Sequence, residues 1–518
     1  MSRADTHNED QMSTGKAWLD PRVITLLFLG FSAGVPLLLI FSTLSVWLTE
    51  AGVSKASVTF FSWAALGYSF KFIWAPLIDT LPVPFLTKIL GKRRSWLFVA
   101  QICIIIAICW MASTDPARGG HSVHIMAIAA VLLGFSSATQ DIVIDAYRIE
   151  CAERRLQALL SSSYIAGYRI GMLVAGAGAL YLAGILGTTK EAYQYQAWMY
   201  TYFVAAAVML IGMCTTLLMP KAQRNRDLND DPRPTQHHLR LLLMFALSVT
   251  AFCFTFFYCA FITRPLVAHL DFLGHLATFI NECLRLTMAL AAALLTATAS
   301  VLIKIADREM MHETFIAPVS NFFNRYELKT ALLLLLLIGF YRVSDIVLGV
   351  ISNVFYVDMG FSKETIAGIA KTFGLIMTIA GGFLGGMAAL RYGVMRVLFW
   401  GAVLSAATNV LFMALSRAGA DITMLTVVIS IDNLSAGLAT TAFVAFLSSL
   451  TDIKFTAVQY ALFSSLMTLF PKLLGGYSGT LVSNMGYENF FLFTAILGIP
   501  VLALVLWAKK LLPEENGS

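Results

Sequence analysis

The chain has 518 residues, 58% of them hydrophobic and 13% charged, with a mean hydropathy of +0.76. No soluble domain of that length is so apolar, so the chain is a polytopic membrane protein. Its net charge of +6 does not point to nucleic acid, because the basic residues lie between apolar segments rather than in one patch.

The first residues are polar and mixed in charge, with no secretory signal pattern, so the first apolar segment is expected to insert itself. Fourteen apolar segments follow, each roughly 18 residues or more. Six come first: Val23–Trp47, Val58–Ile78, Trp96–Ser113, His124–Tyr147, Leu159–Leu186 and Ala197–Leu218. A polar linker, Pro220–His238, leads to an inserted pair, Leu239–Ile262 and Cys283–Ile305. A second linker, Ala306–Lys329, leads to the last six: Leu332–Tyr356, Thr365–Leu390, Val397–Leu415, Thr423–Leu450, Thr456–Val482 and Phe490–Ala508. The expected division is therefore a tail at 1–22, a six-helix bundle at 23–218, the linkers and inserted pair at 219–329, a second bundle at 330–511, and a tail at 512–518.

With the N-terminus in the cytoplasm, about 24 Lys and Arg fall in cytoplasmic segments and about 6 in outside loops. That asymmetry places both termini and both linkers in the cytoplasm. The two sets of six echo each other about 300 residues apart, as two parallel repeats would. The fourth segments carry small residues beside an acid, Ser136-Ser137-Ala138 near Asp141 and Asp432-Asn433-Leu434-Ser435. The fifth carry a cation before glycines, Arg169-Ile170-Gly171 and Lys472-Leu473-Leu474-Gly475.

The seven cysteines are scattered, without a paired spacing, so neither a disulfide framework nor a metal site is expected. No HExxH, GxSxG or acidic metal cluster is present, so the chain is not expected to be an enzyme or to need a cofactor. The linkers are too short for the soluble domain of a receptor.

Several stretches are more specific. They include Gly30–Pro36 (GFSAGVP), Phe70–Asp79 (FKFIWAPLID), Ser137–Ala146 (SATQDIVIDA) and Gly167–Val174 (GYRIGMLV) in the first half. In the second half they are Tyr341–Asp345 (YRVSD), Asp432–Gly437 (DNLSAG) and Gln459–Leu462 (QYAL). In these the chain resembles the AmpG-type muropeptide permeases of Gram-negative bacteria, a branch of the major facilitator superfamily. The resemblance covers both halves. It implies an all-α membrane fold of two six-helix bundles, here with two extra helices between them rather than at the C-terminus. It implies a proton symporter of the inner membrane, expected to act as a monomer. The implied cargo is anhydromuropeptides, taken from periplasm to cytoplasm for peptidoglycan recycling and β-lactamase induction. Carriers of other anionic solutes, such as peptides, acyl-CoA or drugs, share the fold and stay open as alternatives.

Asp141 and Asp145 are four apart, on one face of a helix inside the membrane. An ionisable group there costs about 2.5 to 3.5 kcal/mol and faces water or a partner. With Arg169 facing them, they are the candidate proton-coupling set. The competing reading of Asp145, beside Arg148 and Glu150, is a structural ion pair or cytoplasmic latch. Candidate substrate contacts are the cations Lys71, Arg169, Arg342 and Lys472, which suit stem-peptide carboxylates. Gln140, Tyr168, Tyr341, Trp74 and Asn433 would supply ring faces and hydrogen bonds. Arg342 has an intrahelical alternative in Asp345 at i+3. Asp79, Arg93 and Arg148 are the candidate gate, near the short acidic–basic loops of the fold.

Overall fold

The computed structural model describes residues 19–53, 61, 68, 70–153, 156–189, 192–220, 235–267, 275–362, 365–475 and 478–512. Among them are helices and turns and no strand. Thirteen helices among the described residues are long and apolar enough to cross a membrane. Of the second expected segment, Val58–Ile78, mainly its end is described, as a short turn Lys71–Ile73 and a helix Ala75–Thr80.

The chain forms two compact units, one of residues 1–78, 82–227 and 323–518, the other of 79–81 and 228–322. In the first unit, α1 runs as Pro21–Ile40 and Ser42–Glu50, broken at Phe41. Ala75–Thr80 is α2, of which only the part to residue 78 lies in this unit. Then follow α3 (Lys92–Ala112), α4 (Gly120–Glu150) and α5 (Gln157–Leu173 and Ala179–Ile185), the last joined by a π-helical stretch at Val174–Gly178. The first half ends with α6 (Tyr195–Leu218).

The second unit contains the hairpin α7 (Thr235–Tyr258) and α8 (His275–Leu302), packed on each other. The stretch read as a second linker is largely helical. Arg308–Met311 and a π-helical His312–Ile316 lead into Ala317–Phe340, which bends at Glu327.

From residue 323 the chain is back in the first unit. α9 consists of Ala317–Phe340, of which the part from residue 323 lies in this unit, and Val343–Asp358, broken at Tyr341–Arg342. Next come α10 (a π-helical Ile366–Phe373, then Gly374–Tyr392), α11 (Val394–Ala418) and α12 (Ile422–Leu450). The chain closes with α13 (Thr456–Gly475) and α14 (Ser478–Leu511), the latter bent at Gly486.

The two halves repeat each other in backbone detail. Gly91 enters α3 at φ 83, and Gly393, about 300 residues on, enters α11 at φ 84. The left-handed backbone before each helix is a conformation glycine holds at little cost. The first helix of each half is broken at its middle, at Phe41 and at Tyr341–Arg342. In both halves the third helix packs on the fourth and on the sixth.

Lipid is as apolar as a leucine core, so helix contact in a membrane rests on close approach. α1 and α5 cross so tightly that a Cβ at Gly34 would stand 2.0 Å from the Tyr168 carbonyl oxygen, and one at Gly167 1.9 Å from that of Leu27. α10 and α12 do the same at Gly381 and Gly437. Away from these seams the first half packs an aromatic core, with Trp47 stacked on Trp198 at 5.7 Å. The second half packs Phe355, Phe412 and Phe491 together. Large apolar side chains such as Ile128, Trp400 and Ile499 face outward, as a lipid-facing belt requires.

Candidate functional site

The charges of α4 come at three levels. At its end, Glu150 is bound by Arg93 of α3, with Nη2 to Oε1 at 2.6 Å. Arg93 Nη2 also donates to Thr456 Oγ1 of α13 at 2.9 Å, and the Thr456 hydroxyl donates to Glu150. This cluster joins the two halves.

Two residues before Glu150, Arg148 is fully buried. Its Nη2 donates to Asp145 Oδ1 at 3.2 Å. Its Nη1 donates to Ser161 of α5 at 2.7 Å and to Ser448 of α12 at 2.9 Å. The guanidinium lies 4.9 Å from the ring centre of Tyr460 on α13, a cation–π contact. Asp145 Oδ2 lies 3.5 Å from Lys71 Nζ. Arg148 therefore ties α4 to α5, α12 and α13, and Asp145 holds it in place. Nearby, Ser162 Oγ donates to the Gly382 carbonyl of α10 at 2.9 Å. Gln157 Nε2 donates to the carbonyls of Arg148, Ile149 and Ala152, satisfying the end of α4.

This closed end of the bundle also carries the start of α1. There Arg22 pairs with Asp20 at 2.7 Å and donates to the Cys151 carbonyl. The Arg22 guanidinium holds the Asp20 carboxyl below the usual carboxylate range, so the contact is charged at any ordinary pH.

The third level is Asp141, one turn further from the closed end. It is buried, it makes no hydrogen bond or ion pair among the described residues, and its Oδ1 is sealed from solvent without a partner. Lys71 acts on it at longer range. The field of Asp141 reaches Tyr68, Tyr164, Tyr168 and Tyr460. Tyr68 donates to Ser137 at 2.6 Å, and the rings of Tyr164 and Tyr168 are 6.0 Å apart.

The pairing expected between Arg169 and the α4 aspartates is not what is found. Asp145 is already taken by Arg148 and Lys71. Arg169 makes no hydrogen bond or ion pair among the described residues, and its charged neighbour is Arg342 of the second half. Arg342 caps the second stretch of α9, with Asp345 Oδ2 at 3.8 Å.

Residues 23–357 match the family model of the Major Facilitator Superfamily. A putative transporter AmpG 4 of Rickettsia conorii is 31% identical over 496 residues, covering 96% of this chain and 98% of the relative. The chain belongs to the AmpG branch of the Major Facilitator Superfamily.

Another AmpG relative, the anhydromuropeptide permease of Escherichia coli K12, is 28% identical over 493 residues, covering 95% of this chain and 80% of the relative. Two solved structures share the fold. The proton:xylose symporter XylE superposes with a TM-score of 0.57 at 12% identity, covering 96% of this chain and 95% of that one. The E. coli fucose:proton symporter FucP gives 0.61 at 10% identity, covering 95% and 99%. The all-α major facilitator architecture expected from the sequence is thus the one found.

In this AmpG-type transporter the remaining candidates sort by contact. Of the gate, Arg93 and Arg148 bridge the halves, while Asp79 belongs to the second unit. Gln140 is fully buried and bonds Ser32 of α1 through both ends of its amide, at 3.2 Å each. It adjoins Asp141 in sequence but lies about 100° around the helix, which aims it into α1. Trp74 donates to Thr139 at 3.1 Å and packs on Phe135. Tyr341 donates to the Leu398 carbonyl at 2.9 Å and stacks on Phe443. Asn433 accepts from Thr378 and donates to the Ile429 carbonyl. Gln140, Trp74, Tyr341 and Asn433 thus spend their polar atoms on the protein. The side chain of Lys472 lies outside the described residues.

The residues not anticipated are Thr456, Ser448, Ser161 and Tyr460, which receive Arg93 and Arg148. A signal existed for the region. Gln157 and Gln459 are about 300 residues apart in the repeat, and each bonds backbone at the turn between the fourth and fifth helices of its half.

Proposed function

We propose that this transporter imports anhydromuropeptides, the disaccharide–peptide fragments of cell-wall turnover, together with a proton. Both termini and the closed end of the bundle face the cytoplasm, so the closed gate is the inner one. The similarity to the E. coli permease over nearly the whole chain supports the substrate. The inward step is supported by one observation above the others, the contrast between the two α4 carboxyls. Asp145 is committed to Arg148 and Lys71. Asp141 is buried with a bare oxygen, so it is the carboxyl placed to take a proton and give it up. Lys71, paired with Asp145 and acting on Asp141 at longer range, is the cation that can follow the change.

The test is uptake of a radiolabelled disaccharide–peptide into right-side-out vesicles with an imposed inward proton gradient. Wild type should concentrate the solute only when the gradient is present. Asp141→Asn should still bind and equilibrate the solute but lose gradient-driven accumulation. Accumulation by Asp141→Asn equal to wild type would remove Asp141 from the mechanism.

A further inference from the structure

Two arginines are left unused by the gate and the proton site. Arg169 lies on α5 roughly 18 Å from its first residue, at 1.5 Å per residue, and nothing among the described residues bonds its guanidinium. Its backbone is fixed, because Gly167 and Gly171 press α5 onto the carbonyls of Leu27 and Phe31 of α1. The buried arginines of the gate are each held by a carboxylate, Arg93 by Glu150 and Arg148 by Asp145. Arg169 instead feels a like charge at longer range, that of Arg342 from the other half.

Arg342 is little better supplied. It stands at the mid-membrane break of α9, at the head of the stretch Val343–Asp358. Asp345 is 3.8 Å away, beyond hydrogen-bond distance, and its other oxygen is bonded by Ser405 of α11. A break of this kind in a transporter helix is where solute sites form. A cation at this depth costs about 2.5 to 3.5 kcal/mol, a neighbouring like charge adds to that, and a guanidinium does not lose its proton. An anion from outside the chain offsets all three.

The geometry points to a carboxylate clamp, in which Arg169 of the first half and Arg342 of the second close on one carboxylate of the substrate. This rests on the transport reading above and narrows it: the cargo must bring an anion. Each guanidinium presents a planar fork that fits a carboxylate in two-point fashion. The two forks belong to different halves, so an empty clamp holds the halves apart by repulsion and a filled one draws them together.

Calorimetry on the purified full-length chain in nanodiscs tests it with two pairs of probes. One pair is a disaccharide–tripeptide with free carboxylates and its methyl ester; the other is an N-acetyl dipeptide acid and its amide. In wild type the acid should bind at least about tenfold tighter than its neutral partner. Arg169→Gln and Arg342→Gln should each cut that preference to within about threefold. The double variant should be no worse than either single, because both arms hold one group. Arg169→Lys should keep part of the preference, and it serves where the glutamine variant fails to fold by size exclusion. A preference that survives in both glutamine variants overturns the clamp, as does wild type binding no carboxylate. Inorganic phosphate competing as well as the acids overturns the carboxylate assignment. If the dipeptide acid is preferred and the disaccharide–peptide is not bound, the clamp stands and the muropeptide reading falls. If the disaccharide–peptide binds equally as acid and ester, the reading stands and the clamp falls.

Discussion

Asp145 and Arg148 are three residues apart on one helix, yet the arginine of that pair reaches hydroxyls on α5 and α12 and a ring on α13. Removing one member of a buried pair strands the other, at a cost of about 3 to 5 kcal/mol. Arg148→Gln is therefore expected to lower the unfolding midpoint far more than a substitution at the exposed Arg118. Thermal unfolding in detergent measures it, and an unchanged midpoint would mean that Ser161 and Ser448 need no cation. A double-mutant cycle separates true partners from neighbours. Asp145→Asn with Arg148→Gln should show a coupling of about 0.5 to 3 kcal/mol, and Asp141→Asn with Arg169→Gln should add to within about 0.5. The first pair was legible from the chain, since i and i+3 share a helix face. The place of Arg169 was not. It depends on how α5 is rotated against α1, which the glycine contacts set and a list of residues does not display. The contrast between Gln140 and Asp141 was hidden for a related reason, because adjacent residues of a helix look in different directions.

At the scale of helices, the seams of close approach carry the rigidity. Gly34→Val would drive two methyl groups into the backbone of α5, where a single Cβ already overlaps the Tyr168 carbonyl. Neither helix can yield without moving its neighbours, so the variant is expected to lose most folded protein on size exclusion. Gly120→Ala, where a Cβ meets nothing within 4 Å, should elute as wild type. Equal yields from the two would show that α1 and α5 are free to separate. Helix existence was readable from apolar length, and the breaks within helices were not. The interruption at Tyr341–Arg342 lies two residues past Gly339, and that at Phe41 five residues past Pro36, while many other glycines of the chain sit in unbroken helix. Such breaks are imposed by tertiary packing. Thr43, just past the first break, donates to the Ala175 carbonyl inside the π-helical stretch of α5, and that partner lies more than a hundred residues away. The helical character of Arg308–Tyr326 was masked by its mixed polarity, which reads equally as an amphipathic helix or a loop.

For the whole molecule, the inter-half bonds described here gather at the end that carries Glu150, Arg148 and Ser162. In the proposed orientation that is the cytoplasmic gate. Weakening it should shift the population toward the inward-facing form. Glu150→Gln with Thr456→Val removes both the charge and the hydroxyl that Arg93 holds. In a cysteine-free background, Ser162→Cys should then react with an impermeant thiol reagent from the cytoplasmic face severalfold faster than without the gate changes. No change in rate would place the closing contacts elsewhere. Topology is checked the same way: His312→Cys should stay unreactive when the reagent is added outside intact cells.

The repeat has one further consequence. Backbone features recur about 300 residues apart, down to the glycine that opens the third helix of each half. The charges do not. Counted along that register, Asp141, Asp145 and Arg148 fall opposite Phe443, Leu447 and Leu450. Asp345 and Asp432 of the second half fall opposite Thr43 and Ala130. The frame is a duplicate, and the proposed proton site with its neighbour Arg148 is a single copy installed in it. The two halves are accordingly unequal electrodes on one symmetrical hinge. In the proposed mechanism a proton arriving on α4 would change the energy of one side alone, and that imbalance would give a symmetrical frame a direction in which to turn.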